Sequence, residues 1–90
     1  MIDRPKITPE QVRDAMTFLT RHLQCRLGQK GYGSFASSHE AESVVRIECD
    51  EMSEVVRKHG KMPDLKWEML DIAVAAVFAV ACVEAKTPDW

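Results

Sequence analysis

Residues 69–83 read Met-Leu-Asp-Ile-Ala-Val-Ala-Ala-Val-Phe-Ala-Val-Ala-Cys-Val, fifteen positions that are apolar throughout except for Asp71. The run has no period-two alternation, so it does not read as a half-buried strand. It is also shorter than the ~20 residues that span a bilayer. A helix that is hydrophobic all round is a buried one. Working outward, Asp64 follows Pro63 and can cap this helix, and Thr87–Pro88 ends it near Lys86. Upstream, Ser37-Ser38-His39-Glu40 supplies a capping box for a helix from about Glu40 to His59, stopped by Gly60. Further upstream, Thr8 with Gln11 three residues on, and Pro9 between them, start a first helix. Its apolar face is Val12, Met16, Leu19 and Leu23, and Gly28 can end it. Gly28 to Gly33 then form a connector. The chain reads as all-α: one domain, residues 1–90, with three helices of about 20 residues each.

Composition sets the outer limits. The 90 residues carry 12 Lys and Arg against 14 Asp and Glu, a net charge of −2, and are 46% hydrophobic. Those values suit a soluble globular chain and argue against polymeric nucleic acid, whose binders show a basic excess. The opening Met1–Ile2–Asp3–Arg4 starts no apolar signal region, so secretion is not expected. Cys25, Cys49 and Cys82 are odd in number and form no CxxC. They read as buried thiols of a reducing cytoplasm, with neither a disulfide framework nor a structural zinc site.

Two acid pairs carry the chemistry. Glu48 and Glu51 on the second helix, and Glu68 and Asp71 on the third, are each spaced i, i+3, so the members of a pair point the same way. On a wheel with Val44 at zero, Val44, Val45, Cys49, Met52, Val55 and Val56 cover about 0° to 140°. Glu48 falls near 40° within that stripe and Glu51 on its edge. None of the four acids has a Lys or Arg at i±3 or i±4. By contrast Glu54 has Arg57 and Lys58, and Asp50 and Glu42 both have Arg46, as on a solvated, salt-bridged face. The ordinary alternatives are a Glu68 that complements a helix N-terminus and a Glu51 that is merely exposed. If the two helices pack antiparallel, the four carboxylates converge into a hard-oxygen site suited to Mg²⁺, with Mn²⁺ as an alternative. Such a site activates water and stabilises charge developing on phosphorus. Ala75, Ala79 and Cys82 share the Glu68–Asp71 side and leave room for a ligand or a close helix.

The pattern ExxE, sixteen residues, ExxD, written here as Glu48-Cys49-Asp50-Glu51 and Glu68-Met69-Leu70-Asp71, resembles that of the all-α nucleoside triphosphate pyrophosphohydrolases. That superfamily includes the MazG-like proteins and the dimeric dUTPases. Glu51-Met52-Ser53-Glu54-Val55-Val56 is similar to the family's first motif helix, and the apolar run after Asp71 to the helix following its second motif. Phe35 to Glu40 looks like the approach to the first motif. The resemblance covers about residues 30–85. It implies that Glu48, Glu51, Glu68 and Asp71 bind Mg²⁺ and that an NTP or dNTP is cleaved to the monophosphate and pyrophosphate. Relatives often carry a basic or amide residue further along the second motif helix, whereas here nothing polar follows Asp71 until Glu84. Triphosphate charge then falls to Lys30, Arg57, Lys58, Lys61 or a partner chain.

Other residues rank lower. Trp67 and Phe18 could stack on a base, but core or interface packing is the better reading. His39–Glu42 and His22–Cys25 have i, i+3 metal spacing of a kind common by chance. A di-iron bundle would need ExxH, which is absent. With no side-chain nucleophile apparent, direct attack by water is expected. The alternative function is a non-catalytic helical oligomer acting as a nucleotide-binding or regulatory module. Assembly is expected either way, because the first two helices cannot cover an all-apolar third. The antiparallel three-helix protomer would complete a four-helix-type bundle as a homodimer or a dimer of dimers.

Overall fold

Thr8 opens the first helix as its neighbours dictate: its hydroxyl accepts from Gln11 N–H at 3.1 Å, and the Gln11 side chain accepts from Thr8 N–H at 2.8 Å. A computed structural model describes residues 3–90, and within them the chain forms three helices and no strand. These are α1 (Pro9–Lys30), α2 (Ser38–Arg57) and α3 (Met62–Glu84). Met1 and Ile2, the start of the opening tetrapeptide, lie outside the described residues.

The start of α1 lies where expected, and the other helix boundaries move for local reasons. The first helix runs through Gly28 and stops at Gly31, whose φ of 81° and ψ of −171° suit essentially only glycine. A mid-helix glycine costs only about 1 kcal/mol against alanine, so Gly28 is tolerated within α1. Ser37 caps α2 by accepting from Glu40 N–H at 3.1 Å, and the helix begins at Ser38, two residues early. At its far end His59, with φ 51°, takes the left-handed position assigned to Gly60. The Gly60 N–H reaches back to the Val55 carbonyl at 2.9 Å, and the His59 N–H to Val56 at 3.2 Å. Gly60 is needed instead for closeness, since a Cβ there would lie 2.9 Å from Val55 Cγ1. Helix α3 starts at Met62 rather than after Asp64. Pro63 lacks only an N–H that the first turn leaves unbonded, so the helix extends back through it. Asp64 sits in the first turn, where its charge complements the dipole, and Lys61 at the cap makes no side-chain bond. Lys86, with φ 58°, closes the other end.

The C-terminal tail then returns to the start of α2. Ser38 N–H donates to the Asp89 carbonyl at 2.6 Å, and Asp89 N–H to that of Ala36 at 3.0 Å.

Helix α3 is central, packing on α2 most closely and on α1 along another side, while α1 and α2 do not pack on each other. Phe18 meets Lys66, and His22 meets Trp67 and Asp71, so α1 and α3 run parallel. Glu48 and Glu51 on α2 meet Asp71 and Glu68 in reverse order, so α2 runs antiparallel to both.

Among the described residues the buried ones are Val74, Ala75 and Cys82, all on α3. Of the cysteines expected to be buried, Cys25 is exposed and Cys49 only half-buried, because no element covers the outer side of α1. Met69, Val77, Val80 and Val83 form an exposed stripe on α3 at helical spacing. The accessible surface is 7362 Å² for 10.2 kDa, where a compact monomer would expose about 5,300 Å². The radius of gyration is 15.2 Å against about 12 Å for a compact domain of this length. No described helix is long and apolar enough to cross a membrane.

Candidate metal centre

The antiparallel pairing of α2 and α3 places two i, i+3 acid pairs face to face. Each of Glu48, Glu51, Glu68 and Asp71 offers a carboxylate oxygen, and the four oxygens lie within 4.8 Å of one another. Glu51 is exposed, and the other three are half-buried. Hard oxygens gathered this closely are the donor type that Mg²⁺ and Mn²⁺ take. The acids meet without cations. Among the described residues none of the four pairs with Lys or Arg, whereas Glu10, Glu42 and Glu54 do so with Arg13, Arg46 and Arg57. Asp50, also expected to pair with Arg46, does not, because that guanidinium is engaged by Glu42 at 3.0 Å.

The electrostatics record the missing charge. Burial, followed by the negative charges of Glu51 and Asp71, pushes the Glu48 carboxyl above the ordinary carboxylate range. Glu68 is pushed up for the same reasons in the same order. Glu54, hydrogen-bonded by Lys58 and beside Arg57, moves the opposite way. Glu68 Oε2 is buried with no hydrogen-bond partner, and an acceptor left so carries an uncompensated desolvation cost of roughly 1–3 kcal/mol. Four converging hard oxygens, one of them orphaned and two resisting ionisation, fit a divalent cation. The cluster could hold a metal ion.

Two α1 residues join this site, His22, ranked low above for its spacing from Cys25, and Arg26, which nothing in the sequence marks. His22 Nε2 lies 2.6 Å from Asp71 Oδ1, and its ring is tilted against Trp67 with centroids 5.1 Å apart. Its sequence neighbour by metal spacing, Cys25, stays exposed while the imidazole turns to Asp71. Arg26, one turn further along α1, lines a cleft beside the acids. The local signal at His22 points to Cys25 rather than Asp71, and none marks Arg26, because both reach the site only through the packing of α1 on α3.

That cleft, about 200 Å³, lies between the helices and the Gly31–Phe35 connector, with Glu48 and Asp71 in its lining. Leu23, Leu27, Val44, Val74 and Phe78 make it largely apolar, and Phe35 meets Phe78 edge to face at 5.4 Å. Of the lysines expected to meet phosphate, Lys30 lines the cleft and Lys58 and Lys61 do not. Both belong to the α2–α3 turn, and Lys58 stands ten residues, about 15 Å, along the chain from Glu48. There it pairs with Glu54 at 3.3 Å, and Arg57 pairs with the same carboxylate. Trp67 is half-exposed against His22, and Phe18 lies under the Lys66 ammonium at 3.5 Å. His39 is exposed, and Glu42 is paired with Arg46. No family model, curated protein or solved structure matches the chain.

Proposed function

We propose that the protein is a Mg²⁺-dependent nucleoside triphosphate pyrophosphohydrolase, converting an NTP or dNTP and water to the monophosphate and pyrophosphate. The observation that carries this reading is a carboxylate quartet in which no member pairs with Lys or Arg, two acids from each of two antiparallel helices, beside an apolar cleft. The resemblance of its ExxE and ExxD motifs to the all-α pyrophosphohydrolases supplies the reaction.

Glu48, Glu51, Glu68 and Asp71 would hold the ion, with Mn²⁺ as a substitute for Mg²⁺. When bound, the ion neutralises phosphate charge and polarises the phosphorus–oxygen bonds. His22 keeps Asp71 oriented through the 2.6 Å contact. One of the carboxylates orients the attacking water and takes its proton as water oxygen bonds to phosphorus. The anhydride bond between the α- and β-phosphates breaks, and its electron pair leaves with pyrophosphate. No protein nucleophile takes part.

The active form is a homodimer or dimer of dimers in a reducing cytoplasm, with the α3 stripe central to the interface. The exposed Met69, Val80 and Val83 and the excess surface support that assembly.

The test is a panel of NTPs and dNTPs with Mg²⁺, analysed for products. Pyrophosphate with monophosphate is expected. Orthophosphate with diphosphate, or no turnover of any nucleotide, would overturn the assignment. Metal binding without turnover would favour a nucleotide-binding or regulatory module instead.

A further inference from the structure

We infer that Arg26 is the residue that receives triphosphate charge at this site, taking the part left vacant by the apolar helix after Asp71; this rests on the proposed nucleotide chemistry. Arg26 is half-buried where the other described arginines are exposed. Arg13, Arg46 and Arg57 each pair with a carboxylate on their own helix. Arg26 has no ion-pair or hydrogen-bond partner among the described residues, although it lines the same cleft as Glu48 and Asp71. Its charge is felt at Glu48, where it opposes the upward push of the neighbouring acids. A guanidinium held at the wall of a cleft and left unpaired beside anions is free to take a ligand.

The spacing on α1 explains how it comes there. His22, Arg26 and Lys30 follow one another at four-residue intervals and so form one row along the helix. His22 is committed to Asp71. Lys30 lies beyond Arg26 and is exposed. Between them Arg26 faces the space beside the carboxylate quartet. A planar fork of donors suits phosphate oxygens there, because it can bind two at once. The cleft itself is smaller than the ~300–1,000 Å³ that encloses a drug-sized ligand. That volume suits only part of a nucleotide, and phosphates between Arg26 and the acids would meet both groups in the lining.

The ordinary alternative is that Arg26 merely offsets the repulsion among the acids. The two roles agree on the metal and part at the phosphate. Removing a positive charge beside a cation site leaves metal affinity unchanged or tightens it, whereas removing a phosphate ligand weakens triphosphate binding. The experiment uses the full chain and compares wild type with Arg26→Gln and Arg26→Lys. Mn²⁺ alone is titrated first, and then inorganic tripolyphosphate with Mg²⁺. For Arg26→Gln, tripolyphosphate binding is expected to weaken by about 10- to 100-fold, with Mn²⁺ affinity equal or higher. Arg26→Lys should recover part of the loss, since it keeps the charge but not the fork. Tripolyphosphate binding within twofold of wild type in Arg26→Gln would overturn the inference while leaving the pyrophosphohydrolase reading intact. Equal weakening of Mn²⁺ and tripolyphosphate would reduce Arg26 to a structural residue. Should wild type bind Mn²⁺ but no tripolyphosphate, both readings fall.

Discussion

Glu48 and Asp71 face each other across the α2–α3 interface, and the proposed metal chemistry turns on them. Glu48→Gln and Asp71→Asn should each abolish Mg²⁺-dependent hydrolysis and the thermal stabilisation that millimolar Mg²⁺ or Mn²⁺ gives wild type, since an ion binding only the native state stabilises it. The helical circular dichroism should be unchanged. Glu54→Gln, at a carboxylate already paired with Arg57 and Lys58, should do little. Equal losses from all three would mean the wrong acids have been chosen. A second prediction concerns pH. Glu48 and Glu68 hold their protons more tightly in the folded protein than an ordinary carboxyl does. The native state therefore binds more protons than the unfolded state above 4.5, their ordinary pKa, up to the raised values. Stability of the metal-free protein must fall as pH rises through that window. Melting temperatures from mildly acidic to neutral pH should show the decline. Glu48→Gln should flatten it, and saturating Mn²⁺, which requires deprotonated ligands, should reverse it. A decline as steep in Glu48→Gln as in wild type would remove Glu48 from the cause.

At the scale of elements, the turn between α2 and α3 sets the register that brings the acid pairs together. His59 occupies a left-handed conformation that costs a residue with a side chain roughly 1 kcal/mol. His59→Gly should therefore raise the melting temperature by a few degrees, about 4–8 °C per kcal/mol for a domain of this size. Gly60→Ala should lower it, because the added Cβ meets Val55. Differential scanning calorimetry of both variants decides the matter, and the opposite pair of signs would mean the turn closes differently. This turn also shows what was legible in the residues alone. Helix starts at Thr8 and Ser37 are readable because a cap and its partner lie three residues apart. Helix ends are less so. Whether Gly28 or Gly31, His59 or Gly60, takes the positive φ depends on what the following chain packs against. The four acids stand out because their missing cations would have been local. His22 and Arg26 do not, since forty-nine positions separate His22 from Asp71 and no spacing rule spans that distance.

On the scale of the whole molecule, surface is the dominant fact. The chain exposes about 2,000 Å² more than a compact monomer of its mass would. Two such chains carry about 4,000 Å² of excess between them, within the range that obligate partners bury in total across an interface. The exposed stripe on α3, with Val80 at 61% and Val83 at 64%, is apolar enough to be its centre. Light scattering coupled to size exclusion at micromolar concentration should give at least twice the 10.2 kDa chain mass. Val80→Glu should shift the population towards monomer or leave the protein aggregated, whereas Glu42→Gln on the solvated face of α2 should change nothing. A well-folded wild-type monomer would refute the interface.

The two hydrogen bonds between Asp89 and the start of α2 have a consequence for how the molecule comes apart. They clasp the free ends of the α2–α3 pair, so that pair is fastened both at its turn and at its mouth. Helix α1 is outside the clasp. It is joined through a short connector and packs only on α3, less extensively than α2 does. Opening should therefore proceed by release of an arm from a closed hairpin rather than by uniform loosening. Amide hydrogen exchange should show α1 losing protection as one unit ahead of α2 and α3, with ordered binding at Arg26 slowing that release. Because His22 and Arg26 travel with the arm, its detachment would strip the site of its basic wall while leaving the four carboxylates assembled.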